Sequence, residues 1–224
     1  MSQPDCELLR TARRRLGSKQ LLQVGDTLSL RLPGTAACLL ALGSADSGDA
    51  DVVQHPLDKP GGSPPSELHR LVYLARPDVG AILIGRQRWA SALPVAGGTL
   101  PGVFDEQLRH LGWKVTQITT PATPEDARAR LAGAANAFGL ERADAVGGKR
   151  AVLCLGMTLE RLVFNAELLE KCAQAYVLAR ASGLPVRRVP WLVGLIATRR
   201  LRRDQRRAAV SHARGEAAAR VAGY

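Results

Sequence analysis

The chain has 224 residues, of which 46% are hydrophobic and only 4% aromatic, and its formal net charge is +11. That apolar fraction supports a sizeable core and excludes wholesale disorder, and no apolar run reaches the roughly 18–20 residues of a membrane-spanning helix. The charge is uneven: from Arg187 onward ten arginines stand against two acids, which places +8 of the +11 at the C-terminal end.

In chain order, Leu8, Leu9, Ala12 and Leu16 have helical spacing, with Gly17 as a stop. Thr27 to Leu32 alternates with period two and turns at Pro33-Gly34 into a second strand from Ala37 to Leu42, which predicts a hairpin. Residues 43–66 read mostly as loop, with a short strand at 51–54. Ser66-Glu67 opens a helix that ends before Arg76-Pro77, and Val79 to Ile84 is a continuous apolar run of buried-strand length. Helices are expected at 87–93 and 104–111, and a strand at 113–118. Thr123-Pro124-Glu125-Asp126 is a helix start, read as running to Phe138. Ala151 to Leu155 is another buried strand, Thr158 opens a helix to Ala181, and Pro190 begins a last, basic helix. The class expected is α/β: a three-layer α/β/α arrangement around a mixed, largely antiparallel sheet, plus the basic C-terminal helix. The division expected is a domain over 1–186 and an arginine-rich extension over 187–224. Cys6, Cys38, Cys154 and Cys172 lie far apart with no C-x-x-C, and the first residues lack an export signal, so reduced cysteines and a cytoplasmic location are expected.

Four ordered segments carry a resemblance. Ser66-Glu67-Leu68-His69 through Tyr73-Leu74-Ala75-Arg76-Pro77-Asp78 resembles the Ser-Glu helix of the class II aldolase/adducin family, which ends in Y-x-A-R-P-D before an apolar strand. Gly25 to Arg31 resembles its G-N-x-S-x-R strand. Residues 145–155 resemble the strands around its N-H-G step, and Gly156 to Glu170 resembles its G-x-[ST]-x-E-E-A helix. The resemblance implies zinc or a similar ion held by three imidazoles, two from an H-x-H and one from N-H-G, with a nearby Glu moving protons. It also implies aldol cleavage or epimerisation of sugar phosphates, in a tetramer.

An H-x-H works on a strand because side chains two apart share a face. Here its positions fall on Ile84 and Arg86, and N-H-G falls on Lys149-Arg150-Ala151. An aliphatic group and two guanidiniums that keep their protons cannot ligate a cation, so no metal cofactor is expected. The family's phosphate-binding Asn falls on Thr27, while Ser29 matches. Glu67 is the candidate proton carrier, but it stands two residues before His69 where the family has four. The reading favoured for it is a first-turn acid beside Ser66 that complements the helix dipole. His69 and Tyr73 share a buried-looking face. The candidate anion-binding set is Thr27, Ser29, Ser66, Arg86, Lys149 and Arg150; the two arginines converge on an anion unless each turns to solvent or pairs with a local acid. The function expected is a family domain without its metal, binding or scaffolding in a homo-oligomer. The alternatives are a divergent, metal-independent lyase or isomerase on a small sugar-phosphate-like anion, and a polyanion binder acting through residues 187–224. In that extension Trp191, Leu192, Leu195 and Ile196 are expected to dock on the domain or a neighbouring subunit, leaving the arginines outside.

Overall fold

The structure is a computed structural model that describes residues 3–42, 52–93, 98–141, 150–183 and 185–219. Its elements in order are α1 (Gln3–Ser18), β1 (Thr27–Arg31), β2 (Ala37–Leu42), β3 (Val52–Pro56), α2 (Pro64–Ala75), β4 (Ala81–Gly85), α3 (Asp105–His110), β5 (Thr116–Thr119), α4 (Pro124–Arg130), β6 (Ala137–Glu141), β7 (Arg150–Gly156), α5 (Leu159–Ala181) and α6 (Trp191–Ala213). The seven strands form one sheet in the order β3-β2-β1-β4-β7-β6-β5. Only β5 and β6 run parallel; the other five pairings are antiparallel. Helices cover both faces, so the layered α/β/α class holds. No helix among the described residues is long and apolar enough to cross a membrane.

The period of two along each strand divides the core. Leu28, Leu83 and Cys154 face α1 and α5, packing with Leu9, Leu16, Leu162 and Ala166. Ile82, Ile84, Leu153 and Leu155 face the opposite side, against Leu68, Val72 and Tyr73 of α2 and Leu131 beyond α4. With a helical layer on either side, β4 is buried at every position.

Four expectations are corrected. Helix α2 begins at Pro64 rather than Ser66: Ser63 is the extended N-cap, and two prolines with φ already set for a helix follow it. No helix spans 87–93; a single 3-10 turn at Ala90–Ala92 stands there. The Glu170 carboxylate of α5 accepts the N–H groups of Trp89 and Ala90 at 2.8 and 2.9 Å and so fixes that turn. The helix opened by Thr123 stops at Arg130, and 137–141 is strand β6. Gly133 with φ +95° breaks the helix, and pairing with β5 and β7 on both edges outweighs the helical propensity of an alanine-rich stretch. Strand β5 is shorter than 113–118 and later, at Thr116–Thr119.

Within the chain, helix α6 docks mainly by its middle, and of its apolar start Trp191, Leu192 and Ile196 stay exposed. Leu201, Asp204, Gln205 and Ala208, spaced i, i+3, i+4, i+7, are buried. Asp204 pairs with Arg109 of α3 at 2.5 Å, and the Gln205 amide donates to the Ala134 carbonyl at 3.0 Å.

Candidate functional site

The segment before β1 turns tightly, and Asp26 is buried at its end. Its carboxylate accepts the backbone N–H of Gln23 at 2.8 Å and that of Arg86 at 3.1 Å. The Arg86 Nε donates to the same carboxylate at 3.0 Å. A second guanidinium nitrogen donates to the Val24 carbonyl, and the Gln23 side-chain amide donates to the Arg86 carbonyl at 2.9 Å. Arg86 is thus clasped to the 23–26 turn, just past the end of β4. Of the two dispositions left open by sequence, pairing with a local acid is the one adopted.

Thr27 and Ser29 lie two apart on β1, on the face covered by α2; His69 and Tyr73 lie four apart on the inward face of α2. The Thr27 hydroxyl stands 2.8 Å from His69 Nε2, and the Ser29 hydroxyl stands 2.7 Å from His69 Nδ1 and 2.8 Å from the Tyr73 oxygen. The Tyr73 hydroxyl faces the Gly80 carbonyl at 3.5 Å. One proton order satisfies every donor: Thr27 donates to Nε2, Nδ1–H to Ser29, Ser29 to Tyr73, and Tyr73 to Gly80. The network is sealed, since His69 and Ser29 have no exposed surface and Thr27 and Tyr73 almost none. Burial, followed by the field of His55, pushes the His69 imidazole down to about 3, so it is neutral. The Arg31 guanidinium lies 4.7 Å over the Tyr73 ring and closes the end of the network.

Glu67 faces elsewhere. It accepts both Nε and Nη2 of Arg70, at 2.8 and 2.7 Å, and the N–H of Gly61 at 3.3 Å. The Arg70 hydrogen bonds hold it below the usual carboxylate range against a smaller opposing effect of burial. It is therefore an ionised, paired first-turn acid. Four residues before His69, where the resemblance places the proton-transferring Glu, this chain has Pro65. Ser66 donates back to the Ser63 carbonyl at 2.8 Å. Arg150 is exposed at the start of β7, opposite Glu141 in the β6 register. Lys149 lies outside the described residues. Of the candidate anion-binding set, then, Thr27, Ser29 and Ser66 are turned inward and hydrogen-bonded, and Arg86 is paired.

The side chains at the implied ligand positions do not fit a divalent cation. Ile84 is buried in the α2-side core and carries no donor atom, and guanidiniums repel cations. Among the described residues no three His, Cys, Asp or Glu side chains gather as a metal set. Asp26 is the partner of Arg86 that the sequence reading missed. Its signal, an acid directly beside Gly25 at the start of a strand, became legible only once β1 and β4 were paired.

The sequence profile described as "Class II Aldolase and Adducin N-terminal domain" matches residues 38–177. An L-fuculose 1-phosphate aldolase structure is similar with a TM-score of 0.73 and 19% identity, over 90% of this chain and 98% of that one. The L-fuculose-1-phosphate aldolase of Thermus thermophilus gives 0.60 and 22%, over 80% and 97%. An aldolase II superfamily protein from Pseudomonas syringae gives 0.65 and 17%, over 90% and 86%. At such identities these likenesses speak to the fold alone. No curated protein matches the chain. The matched profile spans more than half of the sequence, and the chain belongs to the class II aldolase and adducin N-terminal domain family.

Proposed function

We propose that this chain is a family domain that works without the divalent metal, as a binding or scaffolding protein rather than a metal-dependent lyase. The observation that carries the reading is Arg86. At the second H-x-H position stands a guanidinium whose Nε donates to the buried Asp26 carboxylate at 3.0 Å. A cation built into the structure in this way disfavours a second cation beside it. Ile84 and Arg150, at the other two implied positions, supply no donor either. His69 is spent on packing, with both nitrogens engaged by hydroxyls. Without an electrophile to stabilise an enediolate, Glu67 has no carbanion chemistry to serve, and its own charge is held by Arg70.

The relatives suggest the substrate to try. With L-fuculose 1-phosphate, with and without added Zn²⁺, no cleavage above the protein-free blank is expected. Zinc-dependent turnover that disappears in Glu67→Gln would overturn this reading, and turnover independent of zinc would replace it with the divergent-lyase alternative.

A further inference from the structure

Arg31 is the last residue of β1, about 13 Å along the strand from Thr27 and at the end of the sheet away from Arg86. There β1 meets the approach to β4, with the Arg31 N–H donating to the Gly80 carbonyl at 2.8 Å. The side chain is half-buried, and neutral groups hold it. Nε donates to the Val79 carbonyl at 2.9 Å, Nη2 donates to the Tyr73 carbonyl at 3.1 Å, and the Tyr73 ring lies beneath. Asp78 is the acid whose field reaches this guanidinium, but both of its oxygens are taken by Arg76 at 2.8 Å. Burial outweighs the fields of Tyr73, Cys38 and Asp78 and holds Arg31 below the usual arginine range. Among the described residues Arg31 makes no ion pair, and its Nη1 has no hydrogen-bond partner. A cation withdrawn from water is ordinarily given a counter-charge, because desolvation penalises it. This one has none.

Arg31 borders a groove of about 380 Å³ between α1, the end of β1 and the head of α5. Its walls are mostly apolar, with Leu8 and Ala12 from α1, Leu30 from β1, and Met157, Leu159 and Val163 around the start of α5. Leu8 is 51% exposed, so the groove opens to solvent along α1. Four charged side chains line it, and three are already engaged. Arg15 is held by the Glu167 carboxylate at 2.6 and 3.1 Å, and Asp5 and Glu160 each have a contact of their own. Arg31 keeps a nitrogen to offer. A concave, apolar groove of this volume with one placed polar group has the make-up of a small-molecule site. The walls also select the ligand. An apolar body covers Leu30 and Val163, and an anionic head answers the guanidinium. One available nitrogen beside two acids suits a single negative charge, since a phosphate dianion would meet Asp5 and Glu160 with twice the repulsion.

We infer that this groove binds an aliphatic carboxylate of medium chain length, its head on Arg31 and its body along Leu8, Leu30 and Val163. The groove shares no residue with the Arg86 clasp, so it stands whether or not the domain binds metal. Calorimetric titration of the full chain with octanoate is expected to show one saturable site with a dissociation constant below about 1 mM. Acetate lacks the body and octylamine lacks the negative head, so neither should bind. Arg31→Met should raise the octanoate constant about tenfold or more. Arg15→Gln removes a cation that Glu167 already neutralises, and should change it less than about twofold. Arg31 also braces Tyr73, so a second variant keeps the test independent of folding. Leu8→Asp, at an exposed position, should weaken octanoate about tenfold with the thermal transition preserved. Wild type without a saturable octanoate site would overturn the inference. So would equal losses in Arg31→Met and Arg15→Gln, octylamine binding as tightly as octanoate, or an affinity indifferent to Leu8→Asp. Octyl phosphate binding more tightly than octanoate would overturn the carboxylate assignment.

Discussion

Replacing His69 with alanine is expected to destabilise the fold by about 3–5 kcal/mol, combining the cavity with the hydroxyls left unpartnered. The residue is fully buried, and its two nitrogens organise Thr27, Ser29 and, through Ser29, Tyr73. In a domain of this size that loss should lower the thermal midpoint by on the order of 10 °C. His69→Gln, which keeps a donor and an acceptor, should lose less. The pH dependence carries a second signature. The folded-state value of about 3 lies below the roughly 6.5 of an unfolded histidine. The unfolded chain therefore binds the proton first, and the contribution is full at neutral pH and lost as pH falls from about 6.5 towards 3. His110, pushed down to about 4 by burial and then by the Arg161 and Arg109 charges, acts in the same direction. Each buried histidine adds a slope of about 1.4 kcal/mol per pH unit in that window. Urea unfolding at pH 7, 6 and 5 should show the slope reduced by one proton in His69→Ala. An unchanged slope would mean that His69 is not the sealed, neutral group described above.

The second large effect is expected at Asp78. It pairs with Arg76 through two contacts of 2.8 Å, and both residues are buried. The same guanidinium donates to the Ala135 carbonyl at 2.7 Å and to the Asn136 side-chain oxygen at 3.1 Å. That oxygen also accepts from Gln205 of α6 at 2.9 Å. The pair therefore ties the α2–β4 turn to the segment before β6 and to the docked face of α6. Asp78→Ala leaves a buried, uncompensated cation and should cost about 3–5 kcal/mol; Arg76→Met together with Asp78→Ala should recover part of it. Equilibrium unfolding of the two single variants and the double variant measures the coupling. A loss below about 1 kcal/mol in Asp78→Ala would show that the pair is not structural.

The parts of the fold that sequence revealed are those with local causes. The β1–β2 hairpin follows from alternation and Pro33-Gly34, β4 from an unbroken apolar run, and α5 from Thr158, whose hydroxyl accepts the N–H of Arg161 at 3.2 Å. Strand β6 was hidden because Ala134 to Phe138 is alanine-rich and becomes a strand only through neighbours on both edges. The docked stripe of α6 was hidden because half of it is polar: Asp204 and Gln205 are buried by partners on α3 and near β6, and an apolar pattern does not register them. At the site, the identities at 84, 86 and 150 were legible, and so was the shared face of His69 and Tyr73. Their partners were not. Asp26 is 60 positions from Arg86, and Thr27 is 42 from His69, so the ion pair and the sealed network exist only once the sheet has formed.

Metal binding to the full chain tests the central claim most directly. Purified protein stripped with chelator and titrated with Zn²⁺ in a calorimeter, with metal content read by mass spectrometry after dialysis, should show no saturable site and less than about one zinc per ten chains, since among the described residues no donor set of the required kind is assembled. One zinc per chain retained through dialysis, and released when Glu67 or His69 is replaced, would contradict the account and restore metal-dependent chemistry to this domain.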